Sequence, residues 1–439
     1  MLCLPAVFID NNSKISVMKT FPLRNSIMAT LAGAAFTLSG AGHAGTWTQL
    51  DLGTLGGASS WAYGISSAGQ VSGESLVAGN SAYQGFVYGN GVMQGLGTLG
   101  GTQSAASGVN AAGQAVGGSF TAGNAAIHGF LYSNGAMQDL GTLGGSYSWA
   151  SHLNGAGQVA GYSSTPGNAT VHAFVYGNGV MQDLGTLGGR SSQVAGINES
   201  GQLAGTSDAP GDVDRAFLYK NGVMQDLGTL GGATSQAVGI NAAGQVVGQS
   251  AMPGDIAVHA FLYDGSVMQD LGTLGGAGSW ASGINDAGQV AGYSQTDADI
   301  YHAYFYSGGV MTDIGTLGGS RSWASGINGR GQVIGRSDVA GDVAEHWFLF
   351  DGGVMEDVNA LLPGYDSIED LFLNDAGQLA GTGRIGNLYR AFLLMPDAAS
   401  GTGAAAAVPE PASLALLGLS MTALVRSRRE RRGATRSPA

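Results

Sequence analysis

Five histidines recur at one interval along the chain: His128, His172, His259, His302 and His346. Imidazoles at a repeated position suggest a transition metal, provided that the rings converge to about 2.1 Å from one ion. Each sits in a different repeat unit, so equivalent positions are too far apart to share an ion. Arg215 and Arg390 hold the same position in two other units, which a required ligand would not allow. The expectation is a hydrogen bond within each unit and no metal.

Carboxylates form the second set. Asp208, Asp212 and Asp214, then Asp255, then Asp297 and Asp299, then Asp338, Asp342 and Glu345 fall in one variable connection of units four to seven. Hard cations take several carboxylate oxygens, which raises calcium as the one cofactor to consider. Neither an EF-hand nor a nonapeptide calcium spacing is present, so solvated acidic loops are the expectation. A glycosidase needs two carboxyls about 5–9 Å apart, and the inner strands offer only Glu369 and Asp370. No nucleophile elbow or zinc-binding motif occurs. A Ser-His-Asp site stays open, because serine is everywhere. The chain reads as a non-enzyme, with a secreted hydrolase of polysaccharide as the alternative.

Tryptophan is the third set. Trp61, Trp149, Trp280 and Trp323 share one repeat position at the start of a strand. Flat indole faces there would stack on sugar rings, or else fill gaps between units.

The elements that position these residues follow from a repeat. Asp51-Leu-Gly-Thr-Leu-Gly-Gly57 recurs from Gly95, Asp139, Asp183, Asp226, Asp270 and Asp313, with a degenerate copy at Asp357, every 43 or 44 residues. Glycine numbers 78 of 439 residues without a three-residue period, which favours tight turns over helix or collagen. Each unit holds four strand-like runs. Asn-Gly or Asp-Gly, as at Asn134-Gly135 and Asp264-Gly265, separates the third from the fourth and suits type I′ hairpins. Four short antiparallel strands per unit is the arithmetic of a propeller blade. Thr46–Gly53 matches only a fourth strand, and Leu371–Pro396 only the first three. The pattern predicts an all-β, closed eight-bladed β-propeller over residues 45–396, its N-terminal strand completing the last blade. First strands rich in Ala, Ser and Gly would line the channel, and third strands would bring Phe86, Phe130, Phe174, Phe217, Phe261, Tyr304, Phe348 and Phe392 into the core. An open β-solenoid is the alternative; it would need atypical caps at both ends.

The two ends predict export. Residues 1–44 read as a signal peptide region: a basic n-region from Met18, an alternative start, to Arg24, an apolar Ile27–Gly42, and small residues ahead of a cut after Ala44. The only cysteine, Cys3, would be lost with it. Residues 397–407 form an Ala/Gly linker. Then come Pro409-Glu410-Pro411, an apolar run from Ala412 to Val425, and arginines at 426, 428, 429, 431 and 432, with a basic tail over 433–439. Over 408–432 this order resembles the PEP-CTERM sorting signal. The resemblance implies cleavage by a membrane-embedded exosortase after signal peptidase has acted, membrane contact only in transit through the C-terminal helix, and a cell-surface or extracellular destination in a Gram-negative bacterium. The units themselves resemble the HAF extracellular repeat, on His172-Ala173-Phe174 and His259-Ala260-Phe261, which implies location and no activity.

Without its ends, the body keeps 8 basic and 27 acidic residues, a net charge of −19. Nucleic acid and anionic membranes repel such a body. The resulting expectation is a structural or adhesive module of the surface matrix or biofilm, binding exopolysaccharide through Trp61, Trp149, Trp280 and Trp323.

Overall fold

The computed structural model describes residues 36–39 and 46–397. Among them eight antiparallel sheets succeed one another along the chain. Blade 1 runs Gly56–Ile65, Val71–Val77, Tyr83–Gly89 and Val92–Gly95, and blades 2 to 7 repeat this order. Blade 8 takes Ser367–Leu373, Leu379–Ile385 and Leu388–Pro396 from the end of the body and Thr46–Asp51 from its beginning. Trp47 pairs with Pro396 and Asp51 with Phe392 in antiparallel register. The fold is an eight-bladed β-propeller closed by its N-terminal strand.

Blade 8 also bonds to blade 1, which excludes the solenoid. Asn374 Nδ2 donates to Ser66 O (2.9 Å), Ala391 N to Ser60 Oγ (3.0 Å), and Ala62 N to Thr382 Oγ1 (3.1 Å). Outside the closing strand, Phe36–Ser39 adds a fifth strand, Phe36 pairing with Gln49 and Ser39 with Thr46. That segment lies in the predicted signal region; a cut after Ala44 would remove it and leave four strands in blade 8. The linker, sorting segment and basic tail lie outside the described residues. No helix among the described residues is long and apolar enough to cross a membrane.

Two polar devices recur around the ring. In seven blades a serine of the first strand (Ser60, Ser104, Ser148, Ser192, Ser235, Ser279, Ser322) accepts an N–H from the third strand of the preceding blade at 2.8–3.0 Å. The same hydroxyl donates to the glycine carbonyl of the incoming turn, as Ser279 does to Gly272 O (2.6 Å). Blade 8 has Ile368 there, and Asn359 Oδ1 takes the N–H of Trp347 instead (2.8 Å). Asparagines at the other end of the first strand link each blade to the next through Nδ2: Asn110 to Asn154 O, and so on to Asn374, at 2.9–3.1 Å. Each also donates to the glutamine four residues on, as Asn285 does to Gln289 Oε1 (2.7 Å).

Blade 1 breaks this second ring, because Ser66 stands where the other seven have asparagine. Gln70 Oε1 is left buried without a partner. Ser66→Asn should therefore satisfy Gln70 and reach Asn110 O. We expect a gain of about 1 kcal/mol, read as a raised urea midpoint with unchanged m-value.

The core lies between blades. The third-strand aromatics are fully buried, each packed on a second-strand glycine of its own blade, as Phe174 is on Gly161. Seven are phenylalanine; the eighth, Tyr304, has a buried hydroxyl without a hydrogen-bond partner. Tyr304→Phe is expected to stabilise the protein by about 1–2 kcal/mol, measured by the same denaturation series.

Candidate functional site

Two sets of connections share one face of the ring. The loop after each second strand places an asparagine or aspartate at positive φ: Asn80, Asn124 and Asn168 at 53°, 56° and 55°, and Asp212, Asp255, Asp299 and Asp342 at 56°, 57°, 62° and 54°. In five of these, Asn80, Asn124, Asn168, Asp255 and Asp342, the side-chain oxygen accepts an N–H from the start of the first strand, as Asn80 Oδ1 does from Ala58 (2.7 Å) and Asp342 Oδ1 from Ser320 (2.7 Å). The aspartates are thus turn residues first. Asp208 is held by Ser191 N (3.0 Å), Asp338 by Arg321 (2.8 Å), and Asp214 by Gln236 (2.6 Å). Among the described residues no three His, Cys, Asp or Glu side chains are grouped to hold a metal ion.

The five histidines are equally dispersed. Each turns Nδ1 to the aspartate that ends the fourth strand of its own blade: His128 to Asp139, His172 to Asp183, His259 to Asp270, His302 to Asp313 and His346 to Asp357, at 2.7–3.0 Å. In four of these pairs the aspartate also accepts the glycine N–H of the following turn, as Asp139 does from Gly141 (2.7 Å). The pair fixes the exit from one blade into the next.

The four tryptophans are half-buried on the face with the acidic loops, and their surroundings differ. Trp149 donates Nε1–H to Ser107 of blade 2 (2.9 Å) and covers Gly118 there, so it packs between blades. Trp280 stacks on Tyr293 (5.2 Å, 15°) with Tyr301 tilted beside it (5.8 Å, 57°). Trp61 lies between Tyr83 (5.7 Å, 59°) and Tyr389 of blade 8 (5.1 Å, 31°). Trp323 carries the guanidinium of Arg321 at 5.3 Å. Arg336, opposite Trp323 in register, instead lies over Trp347 (4.7 Å) and donates to Glu345 (3.0 Å) and Glu369 O (2.6 Å).

Next to Trp61 the structure places a carboxyl that sequence reasoning passes over. Glu74 faces Trp61 across the ladder and accepts the Tyr63 hydroxyl (2.8 Å). Desolvation raises its pKa to about 7, against a small opposing effect of that hydrogen bond. Burial, and then Glu74 itself, push Tyr63 well above the usual phenol range. Asp370 is raised by burial and held back by Arg336. Glu369 accepts the Ser367 hydroxyl (2.7 Å) and lies 3.6 Å from Arg384. Tyr63 and Glu74 belong to no motif; their signal is a break in the repeat. The Tyr63 position carries Ser, Ala or Val in the next six units, and the Glu74 position is acidic in no other.

A group whose pKa rises on folding contributes stability below its unfolded value and loses it as pH rises through the folded value. Glu74 should therefore cost about 3 kcal/mol once pH passes from 4.5 to above about 7. His152 has the opposite sense: burial lowers its pKa to about 4, so its cost appears as pH falls below 6.5. Glu74→Gln is expected to raise the melting temperature at pH 8 and leave it unchanged at pH 4.5. Equal shifts at both values would contradict this.

Residues 407–432 match the model of the PEP-CTERM protein-sorting motif. The chain thus carries a signal for export, exosortase processing and surface attachment in Gram-negative bacteria. No curated protein matches it. Among solved structures, the β-propeller domain of the Trilobed protease from Pyrococcus furiosus is similar at 10% identity and a TM-score of 0.41, over 75% of this chain and 97% of that one. Dipeptidyl peptidase 4 of Porphyromonas gingivalis is similar at 12% identity and 0.44, over 72% of this chain and 55% of the peptidase. The putative TolB of Agrobacterium tumefaciens is similar at 12% identity and 0.34, over 47% and 78%. At these values the likeness says nothing of activity.

Proposed function

We propose that this exported propeller is a non-catalytic binding module of the cell surface or matrix, and that its ligand is an exopolysaccharide held at the channel mouth. The observation that carries the reading is the pair of aromatic clusters on one face, Trp280-Tyr293-Tyr301 and Trp61-Tyr83-Tyr389. Such rings offer apolar area to sugar faces at small entropic cost. Mouths of this kind are concave because every blade contributes a loop. The engagement of each repeated His in a blade-internal pair also supports a structural use for these residues. Trp149 is left to packing, since its N–H and one face are occupied.

Replacing Trp61 and Trp280 with alanine should abolish polysaccharide binding on a glycan array while leaving the β-sheet circular dichroism intact. Binding that survives in the folded double variant would refute the aromatic-mouth reading; an unfolded variant would assign the rings to packing. A secreted hydrolase is the second reading, favoured by the raised pKa values of Glu74 and Asp370 at the same mouth. It requires release of reducing ends that Glu74→Gln or Asp370→Asn abolishes.

A further inference from the structure

We propose that blade 1 recognises a saccharide bearing a free amino group, the ammonium seated at Glu74 and the sugar against Trp61. The proposal rests on the saccharide-binding reading and adds the chemical class. Its ground is a concentration of departures from the repeat in blade 1. Ser72 is fully buried and its hydroxyl has no partner. The same position is apolar in the other seven blades: Val116, Ala160, Ala204, Val247, Ala291, Ile334 and Ala380. Two residues on, and therefore on the same face of the strand, stands Glu74. Polar groups without full partners destabilise a folded chain, and such violations of local consistency concentrate at functional sites.

The surroundings select the ligand. Glu74 is half-buried and hydrogen-bonded to one phenol. A neutral hydroxyl would leave its desolvation largely uncompensated, whereas an ammonium would offset it. The same cation gains from the faces of Trp61, opposite Glu74 in register, and of Tyr83 beside it. The facing titratable and charged groups are Tyr63 on the first strand, Tyr83 on the third, Asp370 on blade 8, and Arg336, which acts on Asp370. Arg336 is already committed to Glu345 and Glu369 O.

The test is isothermal titration of the processed protein with three tetrasaccharides of one backbone: N-acetylglucosamine, glucosamine and trimethylammonium-glucosamine. The last keeps its charge at every pH. We expect at least about tenfold tighter binding of both charged forms than of the N-acetyl form at pH 7. Affinity for the trimethylammonium form should rise by about tenfold or more from pH 5.5 to 8 as Glu74 ionises. Glu74→Gln, folded by circular dichroism, should lose both the preference and the pH slope. Equal affinity for the three sugars would overturn the amine assignment and leave saccharide binding standing. A pH slope unchanged in Glu74→Gln would overturn the assignment to this residue. Absence of binding to all three, with host polysaccharide still bound, would overturn the amine; absence of both would overturn the saccharide reading as well.

Discussion

Deleting Thr46–Asp51 is expected to unfold or aggregate the protein at temperatures where the intact chain is native. The segment supplies the fourth strand of blade 8, paired along its length with Leu388–Pro396. Its Trp47 is 7% exposed and packs with Trp347, Leu349, Leu371 and Phe392 in the largest apolar cluster of the ring. Loss of one such indole alone costs about 3–5 kcal/mol. The deletion also bares the edge of Leu388–Pro396 to water and to other chains. Because blade 8 bonds to blade 1 as well as to blade 7, the damage is not confined to a terminus. A melting temperature within a few degrees of the intact protein would mean that the ring does not depend on this closure.

The second large effect concerns one methyl group. Gly161 lies in the second strand of blade 3, beside the bulge between Ala150 and His152. A Cβ there would fall on the Trp149 carbonyl oxygen and at 2.9 Å from the buried Phe174 ring. Neither can retreat: the oxygen belongs to backbone and the ring is fully enclosed. Gly161→Ala should cost about 3 kcal/mol or more. Gly167→Ala is the control, since its φ is 72° but nothing lies within 4 Å of its added methyl; it should cost about 1 kcal/mol. Similar losses for both, by urea denaturation, would show that strand-to-strand clearance does not govern the second-strand glycines.

The ring was legible because its signals are local and repeated. Turn pairs such as Asn134-Gly135 mark hairpins, the 43–44 residue period marks blades, and the offset of Thr46–Gly53 against Leu371–Pro396 marks closure. Phe174 and its equivalents were legible as core by position alone. The serines were not: they read as small residues for a crowded channel, whereas Ser148 and its counterparts clamp one blade to the next. That role depends on an acceptor geometry created only when two blades meet. The aspartates of the loops were read by charge, yet Asp255 and Asp342 share the left-handed turn position of Asn80, where conformation decides.

The site was legible only in part. Four tryptophans share one position, but Trp149, Trp280, Trp323 and Trp61 meet different second-strand partners: Tyr162, Tyr293, Arg336 and Glu74. Side-chain fate there is set by that partner and not by the repeat. Glu74 and Tyr63 carry no motif. They emerge only when the units are laid over one another and Glu74 stands out as the one acidic residue at its repeat position.

The most direct test of a surface-displayed, non-catalytic saccharide-binding ring uses the processed protein from its native host. Exopolysaccharide from the same host is titrated into it while tryptophan fluorescence and released reducing ends are followed together. Saturable quenching without any rise in reducing ends is the predicted result, with quenching lost in the folded Trp61→Ala, Trp280→Ala variant. A steady release of reducing ends, or no quenching at saturating polysaccharide, would contradict it.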